Sequence, residues 1–176
     1  MNASGPDRRL VLTFMDAESQ WGEIGDSIMG GISRGDMTIA DGVGIFSGVV
    51  SLERGGGFSS VRSAEGHYDL SDGDGLAIRV KGDGKRYGLR LRTRAVFDGI
   101  NYQADFQPTA GVWQDLELPF AHFQPVLRGR QMPSIPPLDP GSIRTFGLII
   151  ASRQAGPFRL EIASITCARW LPGLKP

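Results

Sequence analysis

The chain has 176 residues, 40% hydrophobic and 22% charged, a length and balance that suit one soluble core and exclude wholesale disorder. Nineteen basic residues offset nineteen acidic ones, so no global field gathers nucleic acid or an anionic membrane, and no segment is apolar for long enough to span a bilayer. Cys167 is the single cysteine, which excludes an internal disulfide and a multi-cysteine metal site and suits a reducing compartment.

Hydrophobic residues alternate with a period of two along most of the chain, and helix-period stretches are nearly missing. The opening "MNASGPDRRLVLTFMD" has too short an apolar run for a secretory signal, and its first strand is expected over 10–15. Trp21 is followed by "GDSIMGGISRGDM", Gly25 to Met37, which has neither the lysine nor the following helix that a phosphate loop requires. It reads as a fixed turn. Gly30 and Gly31 allow positive φ or close approach, Trp21, Ile28 and Met29 turn inward, and Asp26 and Ser33 cap local amides.

Strands follow at 37–40, 43–52 and 58–63. "GLAIRVKG" puts Leu76, Ile78 and Val80 on one face and Ala77, Arg79 and Lys81 on the other. After "GDGK", "RYGLRLRTR" sets Tyr87, Leu89 and Leu91 against Arg86, Arg90, Arg92 and Arg94, so the two strands are expected to form a hairpin. "NYQADFQ" sets Tyr102, Ala104 and Phe106 against Asn101, Gln103 and Asp105, and "VWQDLELP" adds a strand ended by Pro119. From Pro119 to Pro140 a long irregular segment is expected, either a rigid cover over the sandwich edge or a binding rim. Its five prolines after Phe123 forbid a regular helix. The last strands fall at 143–151 and 157–166.

About ten short strands, separated by turns that draw on 25 glycines and 11 prolines, describe an all-β antiparallel sandwich with jelly-roll topology, one domain over residues 1–176. A parallel βαβ fold fails for want of crossover helices.

Candidate chemistry is sparse. His67 and His122 have no histidine or cysteine at ligand spacing, and no "GxSxG" turn is present. Asp69, Asp72 and Asp74 in "DLSDGDG" invite a calcium reading but also suit an ordinary turn. Asp105, Asp115 and Glu117 offer the carboxylate pair of a glycosidase, as any solvated strand face does. The most distinctive set is a polar sheet face comprising Arg62, Arg79, Arg90, Arg92, Asn101, Gln103 and Asp105, with Arg128 and Arg130 as a positive rim. Such a face holds a sugar, a carboxylate or a partner's loop, or else is a solvated surface of cross-strand ion pairs. Sixteen arginines against three lysines reflect either codon bias or planar anion recognition, and the second needs spatial clustering.

The order of motifs resembles one family. Trp21, "DSIMGGISRG" at 26–35, "FSGVVSLERGGGFSSVRS" at 46–63, "DGINYQADF" at 98–106, "GVWQDLELPFAHFQPVLRGR" at 111–130, "PPLDP" at 136–140 and "AGPFRLEIASI" at 155–165 are similar to the complex I intermediate-associated protein 30 family. The resemblance covers about residues 10–167. It implies a galactose-binding-like sandwich, similar to carbohydrate-binding modules, in which Trp21, Asp26, Met29, Gly30, Gly31 and Ser33 form a structural motif. It further implies a non-catalytic factor that assists complex I assembly in eukaryotic relatives, so a protein partner in a respiratory or membrane complex is expected. A glycan is the alternative ligand. No metal, cofactor, nucleic acid or direct membrane insertion is expected. The expected location is the cytoplasm in a bacterial source and the mitochondrial matrix in eukaryotic relatives.

Overall fold

Two antiparallel sheets face each other in the computed structural model, which describes residues 7–15, 20–24, 32–93 and 99–170. The six-stranded sheet runs β3 (Arg34–Ala40), β4 (Val43–Val50), β13 (Gly156–Arg169), β6 (Gly75–Lys81) and β9 (Gln114–Pro119). β13 is 14 residues long, so its first half pairs with β4 while its second half pairs with β1 (Asp7–Thr13). The seven-stranded sheet runs β11 (Arg130–Gln131), β10 (Gln124–Leu127), β8 (Asn101–Phe106), β7 (Tyr87–Arg92), β12 (Thr145–Ile150), β5 (Ser59–Ser63) and β2 (Trp21–Glu23). This is the expected all-β jelly-roll sandwich. No helix among the described residues is long and apolar enough to cross a membrane.

The core is where the inward sets of both sheets meet. Leu76, Ile78 and Val80 of β6 oppose Tyr87, Leu89 and Leu91 of β7, and Phe146, Leu148 and Ile150 of β12 complete the layer, all buried. Each such side chain contributes about 1.5–3 kcal/mol by leaving water. Along β13 the register shifts between Ile162 and Ser164, so the inward set changes parity from Leu160 and Ile162 to Ile165 and Cys167. One continuous strand thereby keeps its apolar residues on the core across its whole length.

Two expectations need correction. The strands at 75–81 and 87–92 form no hairpin: β6 pairs with β13 and β9, whereas β7 pairs with β12 and β8. The intervening turn crosses from one sheet to the other. Its corner is pinned by Asp83, whose carboxylate accepts hydrogen bonds from the Tyr87 hydroxyl at 2.9 Å, the Lys85 amide at 3.0 Å and the Arg159 amide at 2.9 Å. Alternation identifies the inward face of each strand but not its neighbour, and both strands point the same kind of face at one interior.

The segment after Pro119 is the second correction. It contains a short 3-10 turn, Phe120–His122, and then β10 and β11, because Pro125 still accepts the Met132 amide through its carbonyl at 2.9 Å. The stretch around Leu138 covers the sandwich edge, where the Tyr102 hydroxyl donates to the Pro136 carbonyl at 3.0 Å and Leu138 is buried. The Ser33 hydroxyl spans to Ser51, accepting from that amide at 3.0 Å and donating to that carbonyl at 3.1 Å. Asp26, Met29, Gly30 and Gly31 lie outside the described residues.

Candidate functional site

Strand register builds a row across the outward face of the seven-stranded sheet. Gly22 stands opposite Arg62, Arg62 opposite Gly147, Gly147 opposite Arg90, Arg90 opposite Gln103 and Gln103 opposite Gln124. Beside this row Thr145 pairs with Arg92. Leu89 and Leu91 point to the core, which sends Arg90 and Arg92 outward. The sheet face therefore gathers Arg62, Arg90, Arg92, Asn101, Gln103 and Asp105 as the alternation requires.

Arg79 is the exception. It lies on β6, in the other sheet, where its guanidinium bonds Asp115 at 3.3 Å. This follows directly from the missing hairpin. Arg128 and Arg130 belong to the β10–β11 turn and to β11, at the sheet edge remote from Arg62, and both are exposed.

Although it points away from the core, the face is not open water. Arg92 retains only 2% of its surface and Ser60 only 4%, so the guanidinium groups sit in a narrow cleft. That cleft, about 10 Å³, is lined by Ile24, Ser60, Val61, Arg62, Arg90, Arg92, Asn101, Thr145 and Gly147. At Ile24 and Arg62 it meets a second, open trough of about 380 Å³, bordered by Gln20, Trp21, Gly22, Ser63 and Ala64. Ser60, Thr145 and Gly147 were absent from the candidate set. Their phase was readable on the expected strands 58–63 and 143–151, but only strand order sets them beside the arginines.

Charge in the cleft is positive and desolvated. Burial, helped by the charge of Arg92, pushes Arg62 down to about 10. Burial together with the charges of Arg62 and Arg92 pushes Arg90 down to about 10, against the pull of Asp105. Both remain cations at neutral pH. Arg90 donates from Nε to Oε1 of Gln103 at 2.8 Å, and Gln103 Nε2 donates to Asp105 Oδ1 at 2.7 Å, so one relay orders three side chains. Asn101 Oδ1 and Thr145 Oγ1 are buried and have no hydrogen-bond partner among the described residues.

The other candidates are engaged elsewhere. Asp69 Oδ1 accepts from the Ser71 amide at 3.0 Å, Asp72 Oδ1 from Arg9 at 2.8 Å and Asp74 Oδ2 from the Trp170 amide at 3.0 Å. Those three carboxylates diverge into a turn, an ion pair and a strand end rather than converging on a cation. Asp115 and Glu117 both bind Arg8, and His67 and His122 are exposed.

Fold and face together define a jelly-roll β-sandwich with a polar, arginine-lined sheet surface. Solved structures share that architecture. A family 11 carbohydrate-binding module from Clostridium thermocellum, in complex with a beta-1,3-1,4-mixed-linked tetrasaccharide, superposes with a TM-score of 0.70 at 18% identity, covering 96% of this chain and 99% of that one. An agarase shares the fold at a TM-score of 0.63 and 11% identity, over 98% of this chain and 26% of that one.

The profile of the complex I intermediate-associated protein 30 family matches residues 12–162, and the chain belongs to that family. The mitochondrial complex I intermediate-associated protein 30 of Drosophila melanogaster is 26% identical over 144 residues, 70% of this chain and 49% of the fly protein. Its Mus musculus counterpart is 32% identical over 99 residues, 54% of this chain and 30% of the mouse protein. The chain thus matches half or less of the length of these relatives.

Proposed function

We propose that the chain is a non-catalytic module that holds a protein partner on the outward face of its seven-stranded sheet during assembly of respiratory complex I. Family membership supports the assembly role. The observation that carries the choice of face is the register row Arg62–Gly147–Arg90–Gln103, which sets forked donors and amides side by side on a rigid sheet. Engagement of Asp115 and Glu117 by Arg8 supports the non-catalytic reading, since a glycosidase needs two carboxylates free to meet substrate. The site of action in this reading is the mitochondrial matrix in a eukaryotic source and the cytoplasm in a bacterial one.

A glycan on the same face is the alternative, and it draws on the fold alone. The outward positions of β5, β12, β7, β8 and β10 are Ser60, Arg62, Thr145, Gly147, Ile149, Gly88, Arg90, Arg92, Asn101, Gln103, Asp105, Gln124 and Val126, none of them aromatic. Those positions give a sugar ring no flat apolar platform, and Trp21 stands apart from them on β2, at the border of the adjoining trough.

Affinity capture from native cells tests the proposal, with Arg90→Gln/Arg92→Gln as control. Recovery of complex I subunits by the native chain and their loss with the variant is expected. Equal recovery by both, or no complex I subunit with either, refutes it.

A further inference from the structure

We propose that the cleft between Arg62 and Arg90 is a carboxylate receptor, built to take the side chain of an aspartate or glutamate presented by a protein partner. The proposal rests on the partner-binding reading above for the origin of the carboxylate.

The geometry begins with Gly147. It lies in register between Arg62 on one side and Arg90 on the other, so the two arginines are two strand spacings apart, roughly 9–10 Å, and the strand position between them carries no side chain. A planar carboxylate over that glycine meets a guanidinium fork from each flank, the arrangement in which charge-assisted hydrogen bonds are strongest. A side chain at position 147 would fill the gap: a Cβ there would lie 3.0 Å from the Val61 carbonyl and 3.6 Å from Arg90 Cβ.

Electrostatics favour the same occupant. Burial and the charge of Arg92 hold Arg62 down to about 10, burial and the charges of Arg62 and Arg92 hold Arg90 down to about 10, and a bound carboxylate opposes this repulsion by supplying negative charge. The Thr145 hydroxyl, buried and without a hydrogen-bond partner among the described residues, lines the cleft and can donate to a carboxylate oxygen. Asn101 lines it too and can turn its amide to present Nδ2.

Size selects a side chain over a sugar. The cleft holds about 10 Å³, room for one oxygen at its floor, whereas the adjoining trough holds about 380 Å³ and shares Ile24 and Arg62 with it. A carboxylate head reaches the arginines while its stem and backbone lie in the trough beside Trp21.

The test is an NMR titration of the full chain, reading the Arg Nε–Hε signals, with a blocked peptide Gly-Gly-Glu-Gly-Gly, its Gln counterpart, and inorganic phosphate. The Glu peptide is expected to move the Arg62 and Arg90 signals and raise Tm, with the Gln peptide at least about tenfold weaker. Arg62→Gln should weaken the Glu peptide about tenfold, Arg62→Lys less, and Arg79→Gln on the opposite sheet not at all. A dispersed spectrum confirms that each variant is folded, and Arg62→Lys keeps the charge should Arg62→Gln fail to fold. Equal shifts by the Glu and Gln peptides, or full binding by Arg62→Lys and Arg62→Gln, overturn the proposal. Phosphate acting on both arginines as strongly as the Glu peptide also overturns it, by indicating a site for free oxyanions. Because no complex I subunit enters the titration, failed capture from cells leaves this result standing, and a silent titration beside successful capture rejects the receptor alone.

Discussion

Arg90 and Gln103 face each other across β7 and β8, and the guanidinium Nε of the first donates to the amide oxygen of the second at 2.8 Å. The bond matters because Arg90 is largely removed from water, and a buried charge is tolerated only with acceptors in place. Gln103→Ala removes that acceptor and frees Asp105 from its amide partner. A loss of about 1.5–3 kcal/mol is expected in urea unfolding, with an unchanged m-value.

Tyr87 carries the corner between the sheets. Its ring is buried and its hydroxyl meets both oxygens of Asp83, at 2.9 and 3.0 Å. Burial first, then the Asp83 charge, holds its phenol well above the usual range, so Tyr87 stays protonated wherever the fold persists. Tyr87→Phe should cost about 1–2 kcal/mol in chemical denaturation while leaving the strand content seen by circular dichroism intact.

Gly48 and Gly35 are paired in register between β4 and β3, and the two strands approach too closely for a side chain. A Cβ on Gly48 would stand 2.0 Å from the Arg34 carbonyl oxygen and 2.7 Å from Gly35 Cα, both backbone atoms that no rotamer change can move. Gly48→Ala should therefore destabilise by about 1–3 kcal/mol, and hydrogen exchange should quicken first in β3.

Phe46 is fully buried and meets Phe158 edge to face at 4.8 Å, with Tyr87 at 6.4 Å. Phe46→Ala opens a cavity in the core between the two sheets, beside Phe158 and Tyr87, and is expected to cost about 3–5 kcal/mol in thermal or urea unfolding.

Glu161 gives the fold an acid sensitivity. Burial pushes its carboxyl up, but hydrogen bonds from Lys81 and Arg159, both at 3.0 Å, and the charges of these partners outweigh that and hold it below the usual 4.5. A carboxylate with a depressed folded-state value contributes stability above its unfolded value and loses it as pH falls through the folded one. Tm measured from pH 6 down to pH 3 should fall less steeply in Glu161→Gln than in the native chain, and parallel curves would contradict this assignment.

Much of the molecule was legible beforehand. The alternation of Leu89 and Leu91 with Arg90 and Arg92 announced which side of β7 enters the core, and Tyr102, Ala104 and Phe106 did the same for β8. The family resemblance was equally readable, because it rests on the order of motifs. Arg79 shows where such reading stops: its phase was correct and its sheet was not, since a glycine turn that could close a hairpin instead carries the chain across the sandwich. β2 and β10 escaped for a related reason. A three-residue strand and a proline-containing strand carry little pattern of their own, and the backbone partners that make them strands are remote in sequence.

Residue order alone determined the class of fold, the inward and outward set of each long strand, and membership of the complex I intermediate-associated protein 30 family. Tertiary structure alone decided that Gly147 separates Arg62 from Arg90, that Thr145 and Ser60 join them, and that the resulting cleft is dry enough to lower both arginines. The division is physical. Side-chain alternation is a local property of the extended backbone, whereas strand order and burial arise from hydrogen bonds between segments far apart along the chain.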